Sequence, residues 1–173
     1  NPQIQPEDLQ LMEETAITII ADISGSMSGS SIRQMQSILV DFINQLPEYH
    51  YLNIIAFNDT HFKLFAEPKI ANMHTKMKAL KFVKDLEAEG GTYMLPPVYE
   101  SLLESANFLM KHQIVLMTDG DIGYDMEMMA VVHEHIGKKR FHVVGIGSAP
   151  NALLIKNLAK VGRGSYLYSN DVK

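Results

Sequence analysis

The sequence predicts an α/β, doubly wound fold: a mostly parallel six-stranded sheet with one antiparallel edge strand and helices on both faces. Three observations carry this expectation. Short runs such as 15–21 and 113–118 are apolar along most of their length rather than alternating, as strands buried on both faces are. Between such runs lie stretches with apolar residues at helical spacing, which is the βαβ alternation of a parallel sheet. One pair of runs is separated only by Asn58-Asp59-Thr60, a turn signal that lays a return strand antiparallel at an edge.

The elements follow in order. Residues 1–14 read as a lead-in, because the first ten are polar and include Pro2 and Pro6; a single domain then occupies 15–170. Its first strand, 15–21, is apolar and β-branched, and a Gly/Ser-rich loop over 24–31 follows. Ile32, Met35, Leu39, Phe42, Ile43 and Leu46 recur at helical spacing until Pro47 closes the helix. A strand at 52–57 and a return strand at 61–65 form the hairpin. Met77, Leu80, Val83 and Leu86 share one side of a helix over 73–86, which Glu89-Gly90-Gly91-Thr92-Tyr93 ends. A helix over 95–111 is favoured by Pro96 and Pro97 in its first turn. A strand at 113–118, a helix at 124–136, a strand at 141–146, a helix at 150–161 and a strand at 165–169 complete the chain. No internal repeat or low-complexity tract interrupts them.

At 173 residues the chain is one domain long, enough to bury about 70 % of its unfolded surface. The 46 % hydrophobic and 20 % charged residues exclude a disordered chain. Without cysteine there is no disulfide framework, thiolate metal site or Cys nucleophile. A net charge of −5 argues against a nucleic-acid partner, and no apolar run reaches the roughly 18–20 residues of a membrane span. The Lys138-Lys139-Arg140 cluster reads as a solvated turn after a helix, where cations suit the dipole. The first residue, Asn1, and the absence of a signal-peptide pattern suggest a domain of a larger chain.

In open α/β sheets, ligands bind beyond the carboxyl ends of strands where strand order reverses. Two predicted strands end there in carboxylates, Asp22 and Asp119. Asp22, Ser24 and Ser26 are spaced by two, so in an extended turn their oxygens point one way while Ile23 points inward. Thr92 joins them by length: a helix of about 25 Å after it and a strand of roughly 20 Å return the chain to the same end of the sheet. As part of a Gly-rich loop, Thr92 is expected to move more freely than Ser24 and Ser26. Asp22, Ser24, Ser26, Thr92 and Asp119 then form an all-oxygen cluster suited to a hard divalent cation, Mg²⁺ before Ca²⁺.

These residues resemble the metal-ion-dependent adhesion site of von Willebrand factor type A (vWA) domains, a Rossmann-like family. The matching pieces are Asp22-Ile23-Ser24-Gly25-Ser26, Thr92 in Gly90-Gly91-Thr92, and Thr118-Asp119-Gly120. The order of elements from about Ala16 to Ser169 fits the family too. Val144-Gly145-Ile146-Gly147-Ser148-Ala149-Pro150-Asn151 and Gly162-Arg163-Gly164-Ser165-Tyr166 look like a VIT-associated subset, which includes inter-alpha-trypsin-inhibitor heavy chains and bacterial surface proteins. The resemblance implies that Ser24, Ser26 and Thr92 approach a metal through hydroxyls while Asp22 and Asp119 hold it mainly through water. It implies Mg²⁺, with Ca²⁺ or Mn²⁺ as substitutes, and a protein partner that presents Asp or Glu. It also implies an extracellular or cell-surface setting without membrane insertion. Only four residues follow Ser169, so the last helix of many relatives is expected to be missing or to lie beyond this segment, and an integrin-like switch is not implied.

Rival readings set the limits. Ser24 and Ser26 alone fit a helix cap, and Asp119-Gly120-Asp121 alone fits a turn. An EF-hand fails because Arg33 stands where its last carboxylate belongs, and a P-loop fails because the first lysine is Lys63. His133 and His135 are two apart and diverge on a helix, unlike a zinc pair. Gly145-Ile146-Gly147 lacks the third glycine of a dinucleotide fingerprint. The eleven methionines read as core filler and rim, while Tyr93 and Met94 suit partner contact and packing equally. Two functions stand: a non-enzymatic, metal-dependent adhesion module, and a Mg²⁺-dependent phosphohydrolase with Asp22 as nucleophile. The second lacks a carboxylate two residues after the nucleophile, where Ser24 stands, and shows no general base.

Overall fold

The computed structural model describes residues 14–104, 111–120, 126–147 and 150–169. Strand β1 (Thr15–Asp22) is central because both its faces are apolar. On one side lies β2 (Tyr51–Phe57), in parallel register with Ile19 opposite Ile54. The short β3 (His61–Lys63) and β4 (Lys69–Ile70) both pair antiparallel with β2. On the other side come β5 (Lys111–Thr118), β6 (Arg140–Gly145) and β7 (Arg163–Tyr168), all parallel. The order β3-β2-β1-β5-β6-β7, with β4 beside β2, reverses direction between β1 and β5. That junction is where a doubly wound sheet opens a ligand crevice.

Side-chain alternation along the strands sorts the core into two layers. Ile19, Ala21, Ile54 and Met117 face helices α1 (Ser30–Gln45) and α2 (Met73–Lys84). Ile20, Phe57, Ile114 and Leu116 face α3 (Leu95–Leu103), α4 (Met126–His135) and α5 (Ala152–Val161). Each fully buried Leu, Ile, Phe or Met contributes about 1.5–3 kcal/mol of transfer free energy. The doubly wound expectation is borne out.

Three details differ from expectation. The sheet has seven strands rather than six, because β4 is two residues long and leaves no sequence pattern. Helix α3 stops at Leu103 rather than 111, and Lys111 already belongs to β5. The cause is Glu104, whose backbone leaves helical geometry (ψ 132°) as its side chain turns into the sheet. There it accepts hydrogen bonds from Thr18 Oγ1 at 3.0 Å and Asn53 Nδ2 at 3.3 Å, and Lys63 Nζ lies 3.5 Å away. Finally, the loop expected over 24–31 contains a 3-10 turn, Gly25–Met27, and α1 begins at Ser30. The predicted lead-in up to residue 13 and the predicted helix start at 124 lie outside the described residues. No helix among the described residues is long and apolar enough to cross a membrane.

Candidate metal centre

Asp22 is the last residue of β1 and is fully buried. Just beyond it, the Ile23 amide donates to the Phe57 carbonyl at 2.8 Å and the Ile23 side chain enters the core, as expected. Buried Met27 anchors the far end of the 3-10 turn. Asp22 Oδ1 accepts from the Ser24 amide at 2.9 Å and the Ser24 hydroxyl at 2.6 Å. Its Oδ2 accepts from Thr118 Oγ1 at 2.6 Å. Ser24 Oγ lies 3.1 Å from Ser26 Oγ, and Ser26 is exposed. The turn is wound rather than extended, yet the hydroxyls still converge, Ser24 on the carboxylate and Ser26 on Ser24.

Burial pushes the Asp22 carboxyl above its ordinary range. The Ser24 and Thr118 donors pull it back, and the negative charge of Asp119 pushes it further up. A desolvated carboxylate facing a second one carries a cost that a bound cation would offset. Asp119 follows β5, is half-buried, and accepts from the Asn151 amide through its carbonyl at 3.1 Å. Gly120, with φ +72°, sits where a Cβ would come within 2.8 Å of Asn151 Cβ, so this corner requires glycine. Its amide donates to Thr118 Oγ1 at 2.9 Å.

Thr92 is half-buried on a loop held from two sides. Toward β1, the Glu89 amide donates to the Ile23 carbonyl and the Gly25 amide to the Gly90 carbonyl, both at 2.9 Å. Toward β2, Asn58 Nδ2 donates to the Glu89 carbonyl at 3.1 Å and the Tyr93 amide to the Asn58 carbonyl at 2.7 Å. A loop so tied is not the freely moving one expected from its glycines. Asp22, Ser24 and Ser26 thus share one hydrogen-bonded cluster, Asp119 acts on it electrostatically, and the Thr92 loop is stapled to the same turn.

The donor chemistry fits a hard cation: these five side chains offer oxygen only, as two carboxylates and three hydroxyls. Among the described residues no three His, Asp or Glu side chains gather as a metal site, so a cation here must rely on hydroxyls. The phosphohydrolase reading needs a second carboxylate where Ser24 stands, and the Ser24 hydroxyl is engaged with Asp22 Oδ1. Met94 proves to be core, whereas Tyr93 is 57 % exposed at the loop's end. Two residues were given no role by the sequence, although Thr118 stood in one of the matching motifs. Thr118 looked like the end of a strand and Asn58 like a turn residue, yet one holds Asp22 and the other holds the Thr92 loop.

A sequence model of the von Willebrand factor type A domain matches residues 15–168. The chain belongs to the von Willebrand factor type A domain family. Members of this family commonly mediate protein–protein interactions. This vWA domain is 29 % identical over 158 residues to a von Willebrand factor A domain-containing protein of Dictyostelium discoideum, covering 91 % of the chain and 17 % of that protein. The chain therefore spans less than a fifth of the length of the first curated relatives it matches. Among solved structures, the von Willebrand factor type A protein from Catenulispora acidiphila superposes with a TM-score of 0.78 at 21 % identity, over 90 % of this chain and 38 % of that one. Manganese-loaded Plasmodium vivax TRAP protein superposes with a TM-score of 0.69 at 21 % identity, over 86 % of this chain and 63 % of that one. At these identities the two structures speak for the fold.

Proposed function

We propose that residues 15–170 act as a metal-dependent adhesion module in which Asp22, Ser24, Ser26, Thr92 and Asp119 hold Mg²⁺, or Ca²⁺ or Mn²⁺ in its place. When bound, the cation supplies a positive coordination position that a partner's Asp or Glu carboxylate can fill. The observation that carries the reading is the buried Asp22 carboxylate with the Ser24 hydroxyl on it and the Ser26 hydroxyl next to that of Ser24. Ser24 spends its only hydroxyl proton on Asp22 Oδ1, so its oxygen lone pairs stay available to a cation. Three of the five donors are neutral, so the set neutralises less of a divalent charge than a carboxylate cage does. With its loop tied to that turn, Thr92 would supply a third hydroxyl, and exposed Tyr93 beside it offers a surface for partner contact.

Support from outside the chain comes from TRAP, a structural neighbour that carries manganese. The motifs around Gly145 and Gly162 support a place in the VIT-associated subset, within a longer extracellular or cell-surface protein. The reading is of binding without catalysis, because Ser24 stands where a phosphohydrolase would need its second carboxylate. The test uses a short Asp-bearing peptide and its Asn counterpart as fluorescent probes, each with Mg²⁺ and with EDTA. Binding of the Asp peptide in Mg²⁺ alone is expected. Equal binding of both peptides, or binding that survives EDTA, would overturn the proposal.

A further inference from the structure

We infer that Asn58 is a positioning residue that presets Thr92 for the cation, an inference that rests on the metal site proposed above. Asn58 follows β2 and is 9 % exposed, and each of its four polar groups is engaged. Within its own turn, its amide donates to the Thr60 carbonyl at 2.8 Å and its Oδ1 accepts from the Thr60 amide at 3.0 Å. Its other two groups reach across the molecule. Nδ2 donates to the Glu89 carbonyl at 3.1 Å, and its carbonyl accepts from the Tyr93 amide at 2.7 Å. Asn58 therefore grips both ends of the five-residue span that carries Thr92.

The same segment also steers the opposite side of the site, since the carbonyl of neighbouring Phe57 accepts the Ile23 amide at 2.8 Å. Residues 57 and 58 thus fix the distance between the Asp22–Ser26 turn and the Thr92 loop. Only a side chain with a donor and an acceptor on a short stem makes both Asn58 contacts. Serine lacks the second group, and glutamine is one methylene too long. Asp in its place keeps the Thr60 contact but turns an oxygen toward the Glu89 carbonyl, replacing attraction with repulsion. Without the Asn58 side chain the loop keeps its backbone bonds to Ile23, Gly25 and residue 58 but loses its tie at the Glu89 carbonyl, and binding weakens by the cost of ordering that end.

The test is a double-mutant cycle on Mg²⁺ affinity, measured by calorimetry on Asn58→Ala, Thr92→Ala and the pair, with melting curves in EDTA alongside. Asn58→Ala should weaken Mg²⁺ about 3- to 10-fold when Thr92 is present and cause no further loss in the Thr92→Ala background. A residue that merely stabilises the fold would lower the melting point while giving the same factor in both backgrounds. Asn58→Asp provides a second arm if the alanine variant folds poorly. Its added charge alone would tighten cation binding, whereas a displaced loop weakens it. Additive effects in the cycle, or tighter Mg²⁺ binding by Asn58→Asp, would overturn the inference while leaving the site intact. Absence of Mg²⁺ binding by the unmutated protein would instead overturn the proposed site itself.

Discussion

Replacing Thr118 with valine keeps its shape and removes one hydroxyl that does two jobs. That hydroxyl donates to Asp22 Oδ2 at 2.6 Å and accepts the Gly120 amide at 2.9 Å. A hydrogen bond to a charged group contributes about 1.5–3 kcal/mol, and a buried amide left unpaired costs about 1–3 kcal/mol. Partial relaxation of the 119–120 corner limits the sum, so Thr118→Val should lose roughly 3 kcal/mol at pH 7. For a domain of this length that lowers the melting point by about 6–12 °C. The pH dependence carries the mechanism. The folded Asp22 carboxyl is already raised by burial, and losing a donor raises it further. A raised carboxyl favours the protonated folded state, so the cost of its charge applies above its folded pKa and fades as pH falls through it. The gap between valine variant and parent should therefore narrow as pH falls through the raised Asp22 pKa in paired urea titrations. A loss below about 0.5 kcal/mol at pH 7, or a gap that widens on acidification, would refute this account of Thr118.

Two further outcomes are expected. Thr92→Ala should weaken Mg²⁺ binding modestly, since water can replace one hydroxyl, but weaken Asp-peptide binding about 10- to 100-fold; equal losses in both assays would make Thr92 a simple anchor. His112 is buried, its Nδ1 has no hydrogen-bond partner among the described residues, and its pKa is lowered by desolvation, with Lys139 adding to it, to about 4. The unfolded chain binds that proton near 6.5, so the folded state should lose up to roughly 3 kcal/mol as pH falls from 6.5 toward 4. His112→Gln should flatten that slope in acid titrations, and an unchanged slope would count against it.

How far the sequence could be read depended on the reach of each interaction. Strands β1 and β5 were legible because a parallel sheet covered on both faces leaves uninterrupted apolar runs. The places of Asp22, Ser24, Ser26 and Asp119 beyond the ends of β1 and β5 were legible because they follow such runs, where the strand order reverses. The end of α3 was not, since Glu104 is drawn out of the helix by Thr18, 86 residues away. No local propensity encodes that. Thr118 meets Asp22 across 96 residues, through a register that sets Ala21 opposite Met117. Asn58 was half legible: its Asx turn with Thr60 is local, whereas its hold on Glu89 and Tyr93 is tertiary. The glycines of the Thr92 loop misled for the same reason. Gly90, at φ +82°, holds a left-handed backbone conformation that glycine accommodates, so glycine here serves a fixed turn rather than motion.

The central claim is that this cluster of oxygens binds a divalent cation, and thermal melts in EDTA and in Mg²⁺ test it most directly. With Mg²⁺ at 100 times its dissociation constant, linkage should add about 2.7 kcal/mol, or roughly 5–10 °C in melting point. Asp119→Ala is the control, because it removes one of the two carboxylates proposed to hold the cation. That variant should gain nothing from Mg²⁺. Identical parent melts with and without the ion, or an Mg²⁺ shift that survives in Asp119→Ala, would contradict the account.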